Sequence, residues 1–163
     1  MNFDYYLDTF NKAASRLDKQ LFHQKQMDVE TGIWLNSVVL RLQKKHWAND
    51  PAEKPHTGAA IFMSIWLNDQ AVKENKLLYN IHALRLRQLR GYALTARDFA
   101  AGFRTTFKKM QHQWLNVNIE RGPQTLMEGW IDLPAENLQA DIAALAGKLV
   151  EIDFIIDDLL KKK

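Results

Sequence analysis

Apolar residues recur at alternating steps of four and three along the C-terminal segment from Pro134 to Lys163. The stripe consists of Leu138, Ile142, Leu145, Leu149, Ile152, Ile156 and Leu159. This spacing keeps one continuous apolar face on a helix. Pro134 suits the first helical turn, where its missing N–H is not needed. The pattern therefore predicts one long C-terminal helix.

Two further segments show a helical period. Residues 3–24 carry the stripe Phe3, Leu7, Phe10, Ala14, Leu17 and Leu21. A second helix is expected to open at Thr95, because Thr95 and Asp98 have the spacing of a capping box, in which each side chain satisfies a backbone N–H. Its buried stripe is expected to be Phe99, Phe103, Phe107, Met110 and Trp114.

Shorter runs favour strands. Residues 31–47 also fit a helical stripe, but the β-branched pair Val38-Val39 favours a strand. Residues 59–68 and 76–89 read as antiparallel strands joined by a polar connection at 69–75, and the prolines and Gly58 within residues 48–58 indicate a loop. The last two predicted strands, 115–120 and 125–132, form a hairpin around Arg121-Gly122-Pro123.

The predicted order of elements is α-β-β-β-α-β-β-α. Helices and strands are segregated, and consecutive strands are close in sequence, which is typical of the α+β class. We expect a mostly antiparallel five-stranded sheet with the helices on one face, in a single globular domain spanning residues 1–163.

Composition excludes several classes. Of 163 residues, 47% are hydrophobic and 25% charged, as in ordinary globular proteins. The absence of cysteine excludes disulfides, thiol catalysis and cysteine zinc sites, and it fits a cytoplasmic protein. No signal peptide or bilayer-spanning stretch is expected. The net charge of +3 gives only a mild preference for anionic partners.

Common catalytic motifs do not occur in this sequence. The five histidines are scattered, the serines lack a nucleophile-elbow pattern, and no glycine-rich phosphate loop precedes a helix. We therefore expect neither a metal site nor a cofactor. Whether the protein is an enzyme stays open, because a site assembled from isolated residues such as His82, Asn80 and Arg85 leaves no sequence motif.

One acidic motif suggests nuclease chemistry. Glu74-Asn75-Lys76, at a strand edge, resembles the acid-x-Lys motif of metal-dependent nucleases with the restriction-endonuclease fold, whose core begins with the same order of elements. There the carboxylates hold a divalent ion and the lysine assists the attacking water. The resemblance implies Asp69, Glu74 and Lys76 as catalytic candidates, with Asp50 as the alternative to Asp69 for the second carboxylate and Glu30 as a third. The competing interpretation is a solvated turn.

A basic band follows in the sequence. It comprises Arg85, Arg87, Arg90, Arg97, Arg104, Lys108 and Lys109. Such a band can follow a phosphate backbone, so weak nucleic-acid binding through Arg85, Arg87, Arg90 and Lys108 is one hypothesis. The alternative is that the band pairs with the acidic residues of the C-terminal helix.

Aromatic residues indicate a protein-binding surface. If the helices cover one sheet face, Phe62 and Trp66 belong to the other, where they form a binding patch or pack under a loop. Val150, Phe154, Ile155 and Leu160 widen the apolar arc of the last helix. This favours a homodimer, unless a bend near Gly147 wraps the helix around one core.

The expected function is a non-enzymatic protein-interaction module. Its order of elements is shared with small secretion chaperones that bind unfolded segments along a sheet, which is an analogy of topology alone. The alternative is a nucleic-acid-binding or degenerate nuclease-like protein. The expected partners are a second copy or another protein.

Overall fold

Alternating apolar residues build one antiparallel sheet in the computed structural model, which describes residues 1–52, 57–133 and 136–161. Its strands lie in sequence order, each pairing with the next. They are β1 (Met27–Trp34), β2 (Ser37–Lys44), β3 (Ala60–Leu67), β4 (Lys76–Leu84) and β5 (Thr125–Asp132). The α+β class and the five-stranded antiparallel sheet are confirmed.

Helices cover one face of this sheet. They are α1 (Phe3–Ser15), α2 (Lys19–Gln24), α3 (Asp69–Lys73), α4 (Ala96–Phe107), α5 (Leu138–Glu151) and α6 (Asp153–Lys161). Short 3₁₀ turns occur at Lys45–Trp47, Leu86–Gln88 and Gln111–Gln113. Alternate strand residues such as Leu40, Met63 and Ile81 join the same core as Phe10 and Phe103. The expected burial of Phe99, Phe103, Phe107, Leu145, Leu149 and Ile152 is confirmed.

The predicted helix over residues 3–24 is two helices. The chain leaves α1 after Ser15, and Asp18 opens α2 by accepting a hydrogen bond from the Leu21 N–H at 3.1 Å. An aspartate in extended backbone is a favourable N-cap, so a new helix begins there. The apolar period alone did not reveal this break.

The single strand predicted over residues 31–47 is a hairpin. Leu35 and Asn36 have φ angles of 52° and 59°, and Trp34 pairs with Ser37. Left-handed backbone at both central positions is the geometry of a type I′ turn. The strand assignment was right against the helix, but β1 begins at Met27. The predicted strand 115–120 contributes only the bridge between Asn118 and Glu128.

Two other boundaries differ from the prediction. The connection at 69–75 contains α3, whose N-cap Asn68 accepts from the Ala71 N–H at 2.8 Å. Strand β4 ends at Leu84 rather than at residue 89, because Arg85 adopts a φ of 51° and starts a 3₁₀ turn. Left-handed backbone cannot continue a pleated strand.

The predicted long C-terminal helix bends at Ile152, where ψ is 11°, and not at Gly147. Val150, Ile155 and Leu160 are buried, whereas Phe154 remains 42% exposed. Helix α6 packs on α4, where a Cβ on Gly102 would lie 2.7 Å from Leu159 Cδ2. The bend therefore turns most of the apolar arc inward. Pro134, expected in the first helical turn, lies outside the described residues.

Candidate binding face of the sheet

The strand register arranges the second face of the sheet in rows. Direct cross-strand neighbours on β2 to β5 form the apolar row, which consists of Val39, Trp66, Leu78 and Trp130. Cross-strand neighbours of this kind have their Cβ atoms about 4.5–5.5 Å apart, so the four side chains form one continuous strip. The helices lie against the opposite face, and the strip runs across four strands away from them.

Beside the apolar row lies a polar row. It consists of Glu30, Arg41, Ser64, Asn80 and Glu128, which are paired across all five strands. The inner members are buried, and each has a partner. Arg41 donates to Glu30, and its guanidinium lies 5.7 Å from the centre of the Trp34 ring. Ser64 Oγ donates to Asn80 Oδ1 at 2.8 Å. These bonds satisfy polar groups that are costly to bury alone.

A third row contains Phe62 and His82. Their rings lie edge to face with centres 5.5 Å apart, and His82 Nδ1 is 3.3 Å from the Thr125 hydroxyl. Phe62 is only 1% exposed, so its ring is packed in place and does not project into solvent. Phe62 therefore forms a packed apolar wall on the second face of the sheet.

These rows enclose a small apolar cavity of about 230 Å³. Its walls include Trp34, Leu35, Val39, Phe62, Trp66 and His82. Leu35 stands at the hairpin tip, where it is 73% exposed and held in left-handed backbone. Branched apolar side chains seldom adopt that conformation, so the turn fixes an unusual apolar residue at the mouth of the cavity.

On the other side of Trp66 lies a cavity of about 480 Å³ with both polar and apolar walls, which we call the polar cavity after its amide and charged side chains. Asn116, Asn118, Arg121 and Glu128 line it together with Trp130. Arg121 Nε lies 2.6 Å from Glu128 Oε1, so these two charges neutralise each other. Trp66 and Asn80 line both cavities and separate them.

The Trp66 indole has an unsatisfied donor. Its Nε1 atom is buried and makes no hydrogen bond, and it is the one such side-chain atom found in residues 1–52, 57–133 and 136–161. An unpaired buried donor costs about 1–3 kcal/mol. A group that persists at this cost between two cavities is a reason to look for a ligand there.

Gly129 fixes the floor of the polar cavity. It pairs with Tyr79 across β4 and β5, and a Cβ there would lie 2.4 Å from the tyrosine oxygen. Tyr79 donates to the Leu115 carbonyl at 2.7 Å, and burial raises the pKa of Tyr79 above its usual range. The glycine lets the phenol cross the strand and hold the segment that carries Asn116.

A larger cavity, about 590 Å³, lies between α1 and the start of α5. Its lining is mainly polar, and Asp8 pairs with Lys12 there at 2.9 Å. This cavity contains neither an orphaned polar atom nor a row of aromatic residues within the described part of the chain. The second sheet face is therefore the stronger candidate.

The nuclease candidates occupy the opposite ends of α3. The N-terminal ammonium lies 2.8 Å from Asp69 and holds the pKa of that carboxyl below its usual value. Glu74 lies 3.9 Å from Lys76, whose ammonium stands 4.7 Å from the centre of the Trp130 ring. The described residues contain no group of three His, Asp or Glu side chains placed to hold a metal ion.

The residues of the basic band differ in their surroundings. Arg85, Arg87, Arg90 and Lys108 are exposed. Arg104 is instead a structural clamp: it donates to the carbonyls of Arg121, Gly122 and Thr125, and burial lowers the pKa of Arg104. It fixes the turn that precedes β5.

The acidic C-terminal segment pairs with other cations. Lys44 Nζ lies 2.8 Å from Asp153 and 2.6 Å from Asp157, while Lys25 lies 3.1 Å from Asp153. His46 and the Trp47 indole also reach Asp157, at 2.8 and 2.9 Å. These contacts form the lysine–aspartate cluster, which joins β2 to α6. The expected pairing of α6 with the basic band is therefore replaced by this cluster.

Burial disfavours the charged forms of Lys44 and Asp157, but their hydrogen bonds and opposite charges together shift both pKa values further in the other direction. Burial disfavours the Lys44 ammonium, yet its bonds to Asp153 and Asp157 raise its pKa overall. Burial likewise disfavours the Asp157 carboxylate, yet bonds from Lys44, Trp47 and His46 lower its pKa overall. Both groups are held in their charged forms by the folded structure.

Phe62 and Trp66, chosen from the sequence, both lie on this second face. Asn80 and His82 lie beside them, whereas Arg85 does not line either cavity. Trp34, Leu78 and Trp130 were not selected. In the sequence, these three residues were indicated only by strands that carry apolar residues on both faces. The strand register is needed to show which of those residues become neighbours.

Comparisons with protein-family models, with curated proteins and with solved structures gave no match to this chain. None of the described helices has the length and apolar character needed to cross a membrane. The physical character of the face therefore carries the functional argument. It combines a continuous apolar strip, two cavities and a buried indole N–H that has no acceptor.

Proposed function

We propose that this protein is a non-enzymatic interaction module that binds an apolar segment of another protein on the second face of its sheet. The observation that carries the proposal is the apolar row beside the orphaned Trp66 indole N–H. Two of the four side chains in this row are tryptophans, a residue type enriched among the anchors that dominate protein interfaces. A chaperone-like or adaptor-like role follows from this chemistry.

An aggregation assay tests the proposal. A chemically unfolded model protein is diluted out of denaturant, and light scattering is followed with and without this chain. Wild type should reduce the scattering, and Leu78→Ser should lose most of that effect because it interrupts the apolar row. Tyr5→Ser is the matched control, since Tyr5 is exposed on α1, which packs against the other face of the sheet. Equal activity of both variants, or none in wild type, would contradict the proposal.

A homodimer is a second proposal about partners. Phe154 is the exposed apolar residue of α6, whereas its neighbours Ile155 and Ile156 are buried. Two-fold pairing is the commonest way to cover such a side chain.

A cytoplasmic location is proposed as well, supported by the absence of cysteine. Cell fractionation tests it.

Weak nucleic-acid binding is the second candidate function. It is favoured by the exposure of Arg87, Arg90 and Lys108. If all three contact phosphates, the log–log slope of affinity against salt should lose about one unit for each residue replaced by alanine. Binding that does not change with salt, or no binding at low salt, removes this candidate.

A further inference from the structure

We infer that the occupant of the second sheet face is an extended peptide segment that inserts one apolar side chain into the apolar cavity and offers a backbone carbonyl to the Trp66 indole N–H. This inference rests on the proposed function and names the chemistry of the partner. A polar residue further along the same segment occupies the polar cavity. Trp66, between the two cavities, is the central contact.

Cavity size favours a single side chain. Small-molecule sites commonly enclose about 300–1,000 Å³. The apolar cavity, at about 230 Å³, falls below that range. Its walls of Phe62, Val39 and Trp34 suit an aliphatic or aromatic group. One anchoring side chain of a longer chain matches both the volume and the lining.

The charges of the face favour a neutral acceptor. Glu30 is paired with Arg41, and Glu128 is paired with Arg121. Because these carboxylates and guanidiniums already neutralise one another, the face has little to attract an ionised ligand. The indole N–H still needs an acceptor, and a peptide carbonyl supplies one immediately beside an apolar side chain.

The spacing of the cavities fits an extended chain. Phe62 lies on β3 and Trp130 on β5, two strands away. Neighbouring strands are about 4.8 Å apart, and Trp130 lies in the row of Trp66, four residues of about 3.3 Å along β3 from Phe62, so the two positions are separated by about 16 Å. An extended chain covers that distance with about five residues at roughly 3.3 Å each. The amide groups of Asn116 and Asn118 then meet a polar residue of the segment.

Binding should move the Trp66 ring. Its Nε1 atom is shielded in the protein alone, so the indole has to turn for a carbonyl to reach the N–H. Turning the ring also brings together the cavities that it separates. The indole N–H resonance of Trp66 is consequently the direct reporter of this contact.

The experiment uses the peptide acetyl-Gly-Phe-Gly-Gly-Gly-Gly-Ser-Gly-amide, in which Phe and Ser are five residues apart, and its analogue with Ala in place of Phe. Proton–nitrogen NMR spectra resolve the indole groups of the five tryptophans, and Trp66→Phe identifies one of them by its loss. The Phe peptide should shift the Trp66 indole proton downfield, as a new hydrogen bond requires. The Ala peptide should bind at least about tenfold more weakly, because the anchor is lost.

Trp66→Phe should reduce peptide affinity by about 2- to 12-fold, the equivalent of one hydrogen bond. Its melting temperature should fall less than that of Trp130→Phe, because both variants lose the same ring volume but only Trp66→Phe also removes an unpaired buried donor. Trp130→Phe is the matched control in the same row, and it should keep the downfield shift of Trp66. A larger fall in melting temperature for Trp66→Phe than for Trp130→Phe would contradict the assignment of Nε1 as an unpaired donor.

Two outcomes separate this inference from the proposed function. If the Phe peptide binds and Leu78→Ser abolishes binding while the Trp66 indole resonance stays in place, the inference is wrong and the proposed function stands. Toluene binding as tightly as the peptide would also overturn the inference, since toluene has no acceptor. If neither peptide binds and the aggregation assay is negative, both are overturned.

Discussion

Replacing Lys44 by methionine tests whether the lysine–aspartate cluster holds β2 to α6. The lysine side chain is 7% exposed and contacts Asp153 at 2.8 Å and Asp157 at 2.6 Å. Removing one partner of a buried ion pair costs about 3–5 kcal/mol, because the remaining charge is left uncompensated. Lys25 still contacts Asp153 in the variant, so we expect the lower end, about 3 kcal/mol.

Urea unfolding at neutral pH measures this loss. Lys45→Met is the matched control, since Lys45 is the next residue and is exposed. A surface change of that kind should stay within about 0.5 kcal/mol. A loss below about 1 kcal/mol for Lys44→Met would refute the reasoning, because it would mean that water already compensates these charges.

The pH dependence gives a second check of the same cluster. The folded pKa of Asp157 is lowered, so its contribution to stability is present above the ordinary pKa of 3.8 and is lost as the pH falls through the folded value. The folded pKa of Lys44 is raised, so its contribution is present below 10.5 and is lost as the pH rises through the folded value. Wild type and Lys44→Met should therefore approach each other in stability at both extremes. A constant difference across the full pH range would contradict the cluster.

Three further changes test the core, the polar cavity and the oligomeric state. Phe103→Ala should cost about 3–5 kcal/mol in urea unfolding, because Phe103 is fully buried and stacked on Phe107. Gly129→Ala should cost about 1–3 kcal/mol, because the added methyl would meet the Tyr79 oxygen; unchanged stability would show that the phenol can move aside. Phe154→Asp should lower the mass measured by light scattering from that of a dimer to 18.9 kDa, and a wild-type mass already at 18.9 kDa would exclude the dimer.

The sequence predicts the buried faces of the helices better than it predicts where the helices and strands begin and end. Phe99, Phe103 and Phe107 are spaced four apart, and one face of a helix explains that spacing completely. The hairpin turn gave no such signal, since Leu35 is a residue that rarely adopts positive φ and no Asn-Gly pair marks the site. Only Asn36, which readily adopts left-handed backbone, carried a local signal for that turn.

The candidate site was only partly predictable for a related reason. The two-sided apolar pattern of residues 59–68 pointed to Phe62 and Trp66. Trp130, by contrast, lies far along the chain from Trp66 and joins the apolar row through the pairings of Leu78 with both residues. Register decides such neighbours, and a shift of one residue would send Trp130 to the opposite face. The unpaired N–H of the Trp66 indole also results from tertiary packing, so no sequence pattern predicts it.

The sequential order of the strands has a consequence for how the protein assembles. Strands β3 and β4 are joined by residues 68–75, whereas β4 and β5 are joined by residues 85–124. Closing the longer connection costs roughly 1–2 kcal/mol more in chain entropy, and non-local pairings of this kind form late. We therefore expect β5 to join last, which pulsed hydrogen exchange would reveal as late protection of its amides. Trp130 arrives with that strand, so a nascent chain would lack a complete binding face until the end of folding.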